Sequence, residues 1–169
     1  MKEWHHEQTA RNSCVPACMC IIQKWRDIPP TESLFHAGAD KKGHDLDRVC
    51  TLGATRRVTL GPTEEADLRV HILDGGLAVV RISGVYYAEW QRRSYPALTS
   101  MHGDLFPPGK FHNAPFHAVV LVGCTRDSFQ LLDPWFPPTG QPLTIDTMDF
   151  SKCFSGVAVL VEKERASRP

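Results

Sequence analysis

The sequence predicts an α+β domain in which N-terminal helices pack on a C-terminal antiparallel sheet. Helical periodicity dominates up to Leu73, and apolar runs of strand length dominate from Leu77 onward. No repeat, low-complexity tract or linker interrupts the 169 residues, so residues 1–169 are expected to form one domain.

The first helix is expected to begin at or just after Cys14. Asn12 and Ser13 are capping types, Pro16 suits a first turn, and residues 17–25 are rich in apolar side chains. Pro29 and Pro30 end it. Further helical stretches are read over 31–39 and 45–52, the second with Leu46, Val49, Cys50 and Leu52 at helical spacing. Residues 57–60 are a short strand candidate. Residues 63–73 form a helix with Glu64, Glu65 and Asp67 in its first turns, where acidic groups suit the dipole, and Gly75-Gly76 ends it. Strands follow at 77–82, 116–122, 129–132 and 156–161, with a short helix around 146–153 before the last. Residues 83–115 carry Tyr86, Tyr87, Trp90, Arg92, Arg93 and FPPGK, and are expected to be mostly irregular.

Composition narrows the function. Lysine plus arginine and aspartate plus glutamate each number 19. That balance offers no global field for holding nucleic acid or an anionic membrane. No apolar run reaches the ~18 to 20 residues of a membrane helix. The N-terminus, MKEWHHEQTARN, lacks the apolar core of a signal peptide. A cytoplasmic, soluble protein is expected. The cysteines, Cys14, Cys18, Cys20, Cys50, Cys124 and Cys153, are too unevenly spaced for a disulfide framework and include no CxxC pair. Free thiols and no metal site follow.

Cys14 stands where a helix begins, and the N–H groups and positive dipole end there favour a thiolate. Read alone, it is better explained as a small buried hydrophobe. Its company argues for chemistry. Gln8, six residues upstream, carries an amide that can donate to a developing oxyanion beside the Cys14 backbone N–H. His117 heads the apolar run HAVVLVG, and Asp133 ends the next one in LLDPW. A hairpin turning near residues 125–127 would return Asp133 to His117, where it can orient the imidazole.

The order Cys, His, Asp with a Gln shortly before the Cys resembles that of papain-like cysteine peptidases. More closely, the sequence resembles the bacteriocin-processing peptidases, which cut leader peptides after a double glycine, and their stand-alone relatives. The matching residues are Gln8 and Cys14 in QTARNSCVPAC, Ala17 and Cys18 in the same helix, His117 in HAVVLVG, Asp133-Pro134 in LLDPW, and the closing GVAVLV. The resemblance spans roughly residues 5 to 162. It implies a papain-like fold, with Cys14 as nucleophile, His117 as base, Asp133 as orienter and Gln8 in the oxyanion hole. No metal or organic cofactor is implied, and the implied partner is a peptide or protein substrate. The family commonly has Gly after the nucleophile. Here Val15 and Pro16 follow, so Val15 is expected to shape the substrate pocket. The membrane and ATPase domains that usually accompany leader peptidases are not legible here, so substrate identity does not transfer with the fold.

Other residues have narrower expectations. Cys18 and Cys20 should face the core, and His112 is a rival base. His5 and His6 read as an exposed pair near the cleft rim, while Asp127 belongs to a turn. Trp135 is expected to bind substrate or to cover the catalytic hydrogen bond. The 83–115 segment and the FPPTG loop at 136–140 are expected to wall the groove. Three other functions use the same residues: acyl transfer or deamidation through the same thioester, peptide binding without turnover, and an effector or toxin protease.

Overall fold

Apolar runs without a polar alternate, such as LAVV and AVVLV, have no face to offer water and require a strand covered on both sides. The computed structural model, which describes residues 1–10, 12–35, 45–59, 65–103 and 116–163, contains such strands at its centre. Six strands form one antiparallel sheet: β1 (Thr55–Thr59), β2 (Leu77–Ser83), β3 (Phe116–Cys124), β4 (Ser128–Leu132), β5 (Leu143–Asp146) and β6 (Phe154–Val161). Their spatial order is β1-β6-β2-β3-β4-β5. The central strands β2, β3 and β6 read almost continuously apolar because both faces are buried.

Alternate residues divide between two cores. Val79 on β2 and Ala118, Val120 and Val122 on β3 join Cys18, Met19 and Ile22 of α1 (Cys14–Trp25). On the other face, Val80 and Ile82 of β2 and Val119 and Leu121 of β3 meet three helices. These are α3 (Glu65–Leu73), α4 (Gly84–Ser94) and α6 (Thr147–Cys153), which contribute Leu68, Tyr87 and Phe150 among others. The remaining helices are short: α2 (Glu32–Phe35), α5 (Pro96–His102), and 3₁₀ turns at Lys2–Trp4 and Leu46–Leu52.

The expected α1 matches in extent, and so does the order of the strands. The 45–52 stretch is helical, with 3₁₀ geometry. Residues 36–39, 60, 63 and 64 of the expected elements lie outside the described residues. Gly75, at φ +88°, ends α3 as expected. Gly76 is packed so closely on the His71 imidazole that a Cβ would overlap the ring.

The expectation of an irregular 83–115 stretch is corrected over its described part. Residues 84–102 form α4 and α5, and the rest, 104–115, lies outside the described residues. Gly84, Tyr87, Ala88 and Gln91 are buried at i, i+3, i+4 and i+7, a helical stripe hidden by its aromatic and glycine content. Pro96, at the first position of α5, starts a helix rather than breaking one. Strand β5, also unanticipated, pairs with β4 and alternates buried and exposed residues.

Two residues on α6 test this packing. Phe150 is 1% exposed, with its ring centroid 4.4 Å from that of Phe129 on β4, while Met148 is 70% exposed. Phe150→Ala is expected to cost about 3–5 kcal/mol. Met148→Ala should stay within about 0.5 kcal/mol of wild type. Urea unfolding curves measure both, and equal losses would contradict the assignment of faces.

Candidate active site

The site gathers at the start of α1 and at the ends of β3 and β4. Ser13 occupies the N-cap position of α1 but makes no side-chain cap. Its hydroxyl instead donates to Ala10 O at 2.8 Å and accepts from the Ala10 N–H at 3.0 Å, which closes the turn before the helix. Cys14 is the first helical residue and is partly exposed. Burial acts to raise its pKa. Against that work a hydrogen bond and the charge of His117, and the backbone N–H groups of Ala118 and Val15. The net result is a thiol held below its ordinary value.

His117 lies one residue into β3, paired with Ile82 of β2, and is 2% exposed. Its Nε2 is 2.7 Å from Asp133 Oδ1. A carboxylate oxygen accepts, so Nε2 carries the hydrogen and Nδ1 is the nitrogen left to face the thiol. Burial acts to lower the His117 pKa. The Asp133 charge and hydrogen bond, with the Cys14 contact, outweigh it and raise the value to about 10. The β3–β4 hairpin that brings His117 and Asp133 together turns where expected, with Thr125 N–H donating to Ser128 O at 2.9 Å. Asp127 is exposed in that turn.

Asp133 follows β4 directly and is 0% exposed. Besides His117, Oδ1 accepts the Trp135 backbone N–H at 2.9 Å. Oδ2 accepts the Tyr87 hydroxyl at 2.8 Å and Gln91 Nε2 at 2.7 Å. The backbone of Asp133 is held as well. Its N–H donates to Gln141 Oε1 and its carbonyl accepts from Gln141 Nε2, both at 3.2 Å. The same carbonyl accepts from His5 Nε2 at 3.0 Å. Burial would raise the carboxyl pKa, but the His117 charge and these donors hold it below the ordinary carboxylate range.

Gln8 is tied to the same loop, its backbone N–H donating to Pro134 O at 2.8 Å. Its Nε2 donates to Ala10 O at 2.8 Å. The N-terminal arm that carries Gln8 is fastened on two sides. His6 Nε2 lies 2.8 Å from Glu32 Oε2, Thr9 Oγ1 donates to Glu32 Oε1 at 2.9 Å, and Lys24 Nζ donates to His5 O at 2.6 Å. The expectation of an exposed His5-His6 pair is therefore corrected. His5 is 3% exposed beneath the Asp133 carbonyl, and burial lowers its pKa and keeps it neutral.

The other expected residues fall as follows. Val15, 3% exposed, packs its side chain in the α1 core, so the expectation that it shapes an open pocket is corrected and only its backbone reaches the sulfur. Trp135 is half-buried, with Nε1 donating to Gly103 O at 3.2 Å. Cys18 and Cys20 are buried in α1, and all six thiols are free. Phe136 of the FPPTG loop turns inward, at 1% exposure. His112 lies outside the described residues. Tyr87, Gln91, His5 and Gln141 were not anticipated. Among the described residues no group of His, Cys, Asp or Glu is arranged to hold a metal ion, and no helix is long and apolar enough to cross a membrane.

No family model matches the sequence, and no curated protein matches it. Solved structures do. The peptidase domain of Streptococcus ComA, a bifunctional ABC transporter involved in a quorum-sensing pathway, superposes with a TM-score of 0.59 at 14% identity. That match covers 92% of this chain and 96% of the other. A putative C39-like peptidase from Bacillus anthracis superposes with a TM-score of 0.63 at 13% identity, covering 95% and 94%. Across nearly its whole length, this chain has the papain-like fold of C39 peptidase domains.

Proposed function

We propose that this chain is a cysteine peptidase with Cys14 as nucleophile, His117 as base and Asp133 as the group that orients His117. The observation that carries the reading is the hydrogen-bonded line from the Cys14 thiol through His117 to Asp133, the last contact at 2.7 Å. In this mechanism His117 Nδ1 takes the thiol proton, and the thiolate attacks a peptide carbonyl carbon. The carbonyl oxygen becomes an oxyanion, held by the Cys14 backbone N–H and the Gln8 amide, which turns to it from Ala10 O. The His117 imidazolium then gives its proton to the leaving amine as the C–N bond breaks. Water, deprotonated by His117, adds to the thioester and releases the acid and the thiol. The chemistry needs only these side chains and water.

The substrate is a peptide or protein segment. Leader peptides ending in two glycines are the first class to test, because the sequence resembles their processing peptidases and the fold is shared with the ComA domain. Product masses separate hydrolysis from acyl transfer, since water and an amine resolve the same thioester differently.

Two outcomes are expected. Iodoacetamide labelling followed by mass spectrometry should find Cys14 reacting well below the ~8.5 of a free thiol. The partly exposed Cys50 and Cys124 serve as internal controls, and His117→Ala should abolish the difference. A Cys14 that labels like those two would refute the ion pair.

Against a cleaved peptide, kcat/KM should follow a bell. The thiolate forms above the lowered Cys14 pKa, and the imidazolium is lost as pH rises towards about 10. His117→Ala should reduce kcat/KM by roughly 10²–10⁴-fold, and Cys14→Ala should abolish turnover while leaving peptide binding. Binding by wild type with no turnover of any peptide would favour a binding module instead.

A further inference from the structure

Tyr87 and Gln91 stand one turn apart on the buried face of α4, and both reach the same atom, Asp133 Oδ2, at 2.8 and 2.7 Å. The other oxygen is left to His117 and the Trp135 N–H. We propose that Tyr87 and Gln91 are positioning residues, which pin Oδ2 so that Oδ1 stays in line with His117 Nε2 and the carboxylate stays ionised. For its catalytic consequence the proposal rests on the peptidase reading above.

Both residues are costly choices for packing alone. Tyr87 is 0% and Gln91 2% exposed, and a buried hydroxyl or amide is tolerated only when it is hydrogen-bonded. A phenylalanine would fill the same space, stacked on Trp90 at 5.1 Å between centroids. The hydroxyl adds the bond to Asp133 and a contact with the Gln91 amide, which shares that carboxylate oxygen. Burial and the neighbouring carboxylate push the Tyr87 phenol well above its ordinary pKa, so it keeps its proton and always donates. The Gln91 amide has no other oxygen of Asp133 to serve, because Oδ1 already has two donors.

The groups that face Asp133 among the described residues come from four elements. His117 approaches from β3, Tyr87 from α4, Cys18 from α1, and His5 from the N-terminal arm, while Cys14 meets His117 rather than Asp133. His5 bonds the backbone carbonyl, and burial keeps the Cys18 thiol neutral. The α4 pair is therefore the set of side chains that fixes Oδ2. Asp133 is held ionised above its lowered pKa. Losing a donor raises that pKa, so on acidification the carboxylate protonates sooner and the thiolate loses its support at higher pH.

The test is the acid limb of Cys14 alkylation by iodoacetamide in wild type, Tyr87→Phe and Gln91→Met, each with its thermal midpoint. Tyr95→Phe is the control, because it removes a hydroxyl bonded to Thr144, away from Asp133. Each α4 variant is expected to shift the acid limb upward by roughly one pH unit, while Tyr95→Phe leaves it in place. Folded α4 variants with the wild-type limb would overturn the proposal, and so would loss of folding in both, which would make the pair purely structural. If wild-type Cys14 shows no low-pH reactivity, the peptidase reading fails. If wild type shows it and the variants match, only the positioning role fails.

Discussion

A carboxylate with no exposure to water governs the architecture around the site. An unpaired buried charge costs several kcal/mol even after local relaxation, and good hydrogen-bond geometry is what makes it tolerable. Asp133 meets that demand with four donors from three places: His117 on β3, Tyr87 and Gln91 on α4, and the Trp135 amide in its own loop. Its backbone is held by Gln141 and His5. Elements far apart in sequence are thus obliged to meet at one residue. Displacing any of them leaves a buried charge short of partners.

This demand also explains why the arm before α1 is ordered. A short polar segment of two histidines, a glutamate and a glutamine has little apolar surface to bury. It is held by bonds at its backbone and side chains: Gln8 to Pro134, His5 to Asp133, His6 and Thr9 to Glu32. Two of these end on the Asp133–Pro134 loop. The residue proposed to face the oxyanion and the residue proposed to orient the base therefore move together, because one loop holds both.

Much of this was legible in the sequence because the candidate residues stand at element ends. Cys14 at a helix start, His117 heading one apolar run and Asp133 closing the next could be read from patterning alone, and the β3–β4 turn brings the last two together. The support behind Asp133 was not legible. Tyr87 and Gln91 sit in a stretch whose aromatic residues favour strands and whose Gly84 suggests a break, so the i, i+3, i+4, i+7 stripe went unrecognised. His5 reads as an exposed residue near the cleft rim rather than a buried one, and Gln141 carries no signal in the sequence. A buried polar residue is defined by what the fold places against it, and polarity in a sequence reads as exposure. Val15 shows the converse: its position beside Cys14 suggested a pocket, but the helical period turns its side chain inward.

The two sides of the sheet carry unequal burdens. The α1 side is packed almost wholly by apolar side chains, with Cys14 at its edge. The opposite side also holds a large apolar cluster, yet it is this side, through α4, that supplies the polar donors for Asp133. Apolar packing tolerates exchange of one hydrophobe for another of similar volume. A hydrogen-bonded buried carboxylate tolerates little, since each donor has both a fixed direction and a fixed partner. The apolar cores therefore admit exchange more readily than the few polar contacts at the strand ends. In this chain the α4 donors belong to the constrained part. On the proposed reading, substitutions there should move the pH range of Cys14 reactivity, whereas substitutions in the α1 core should act on stability alone.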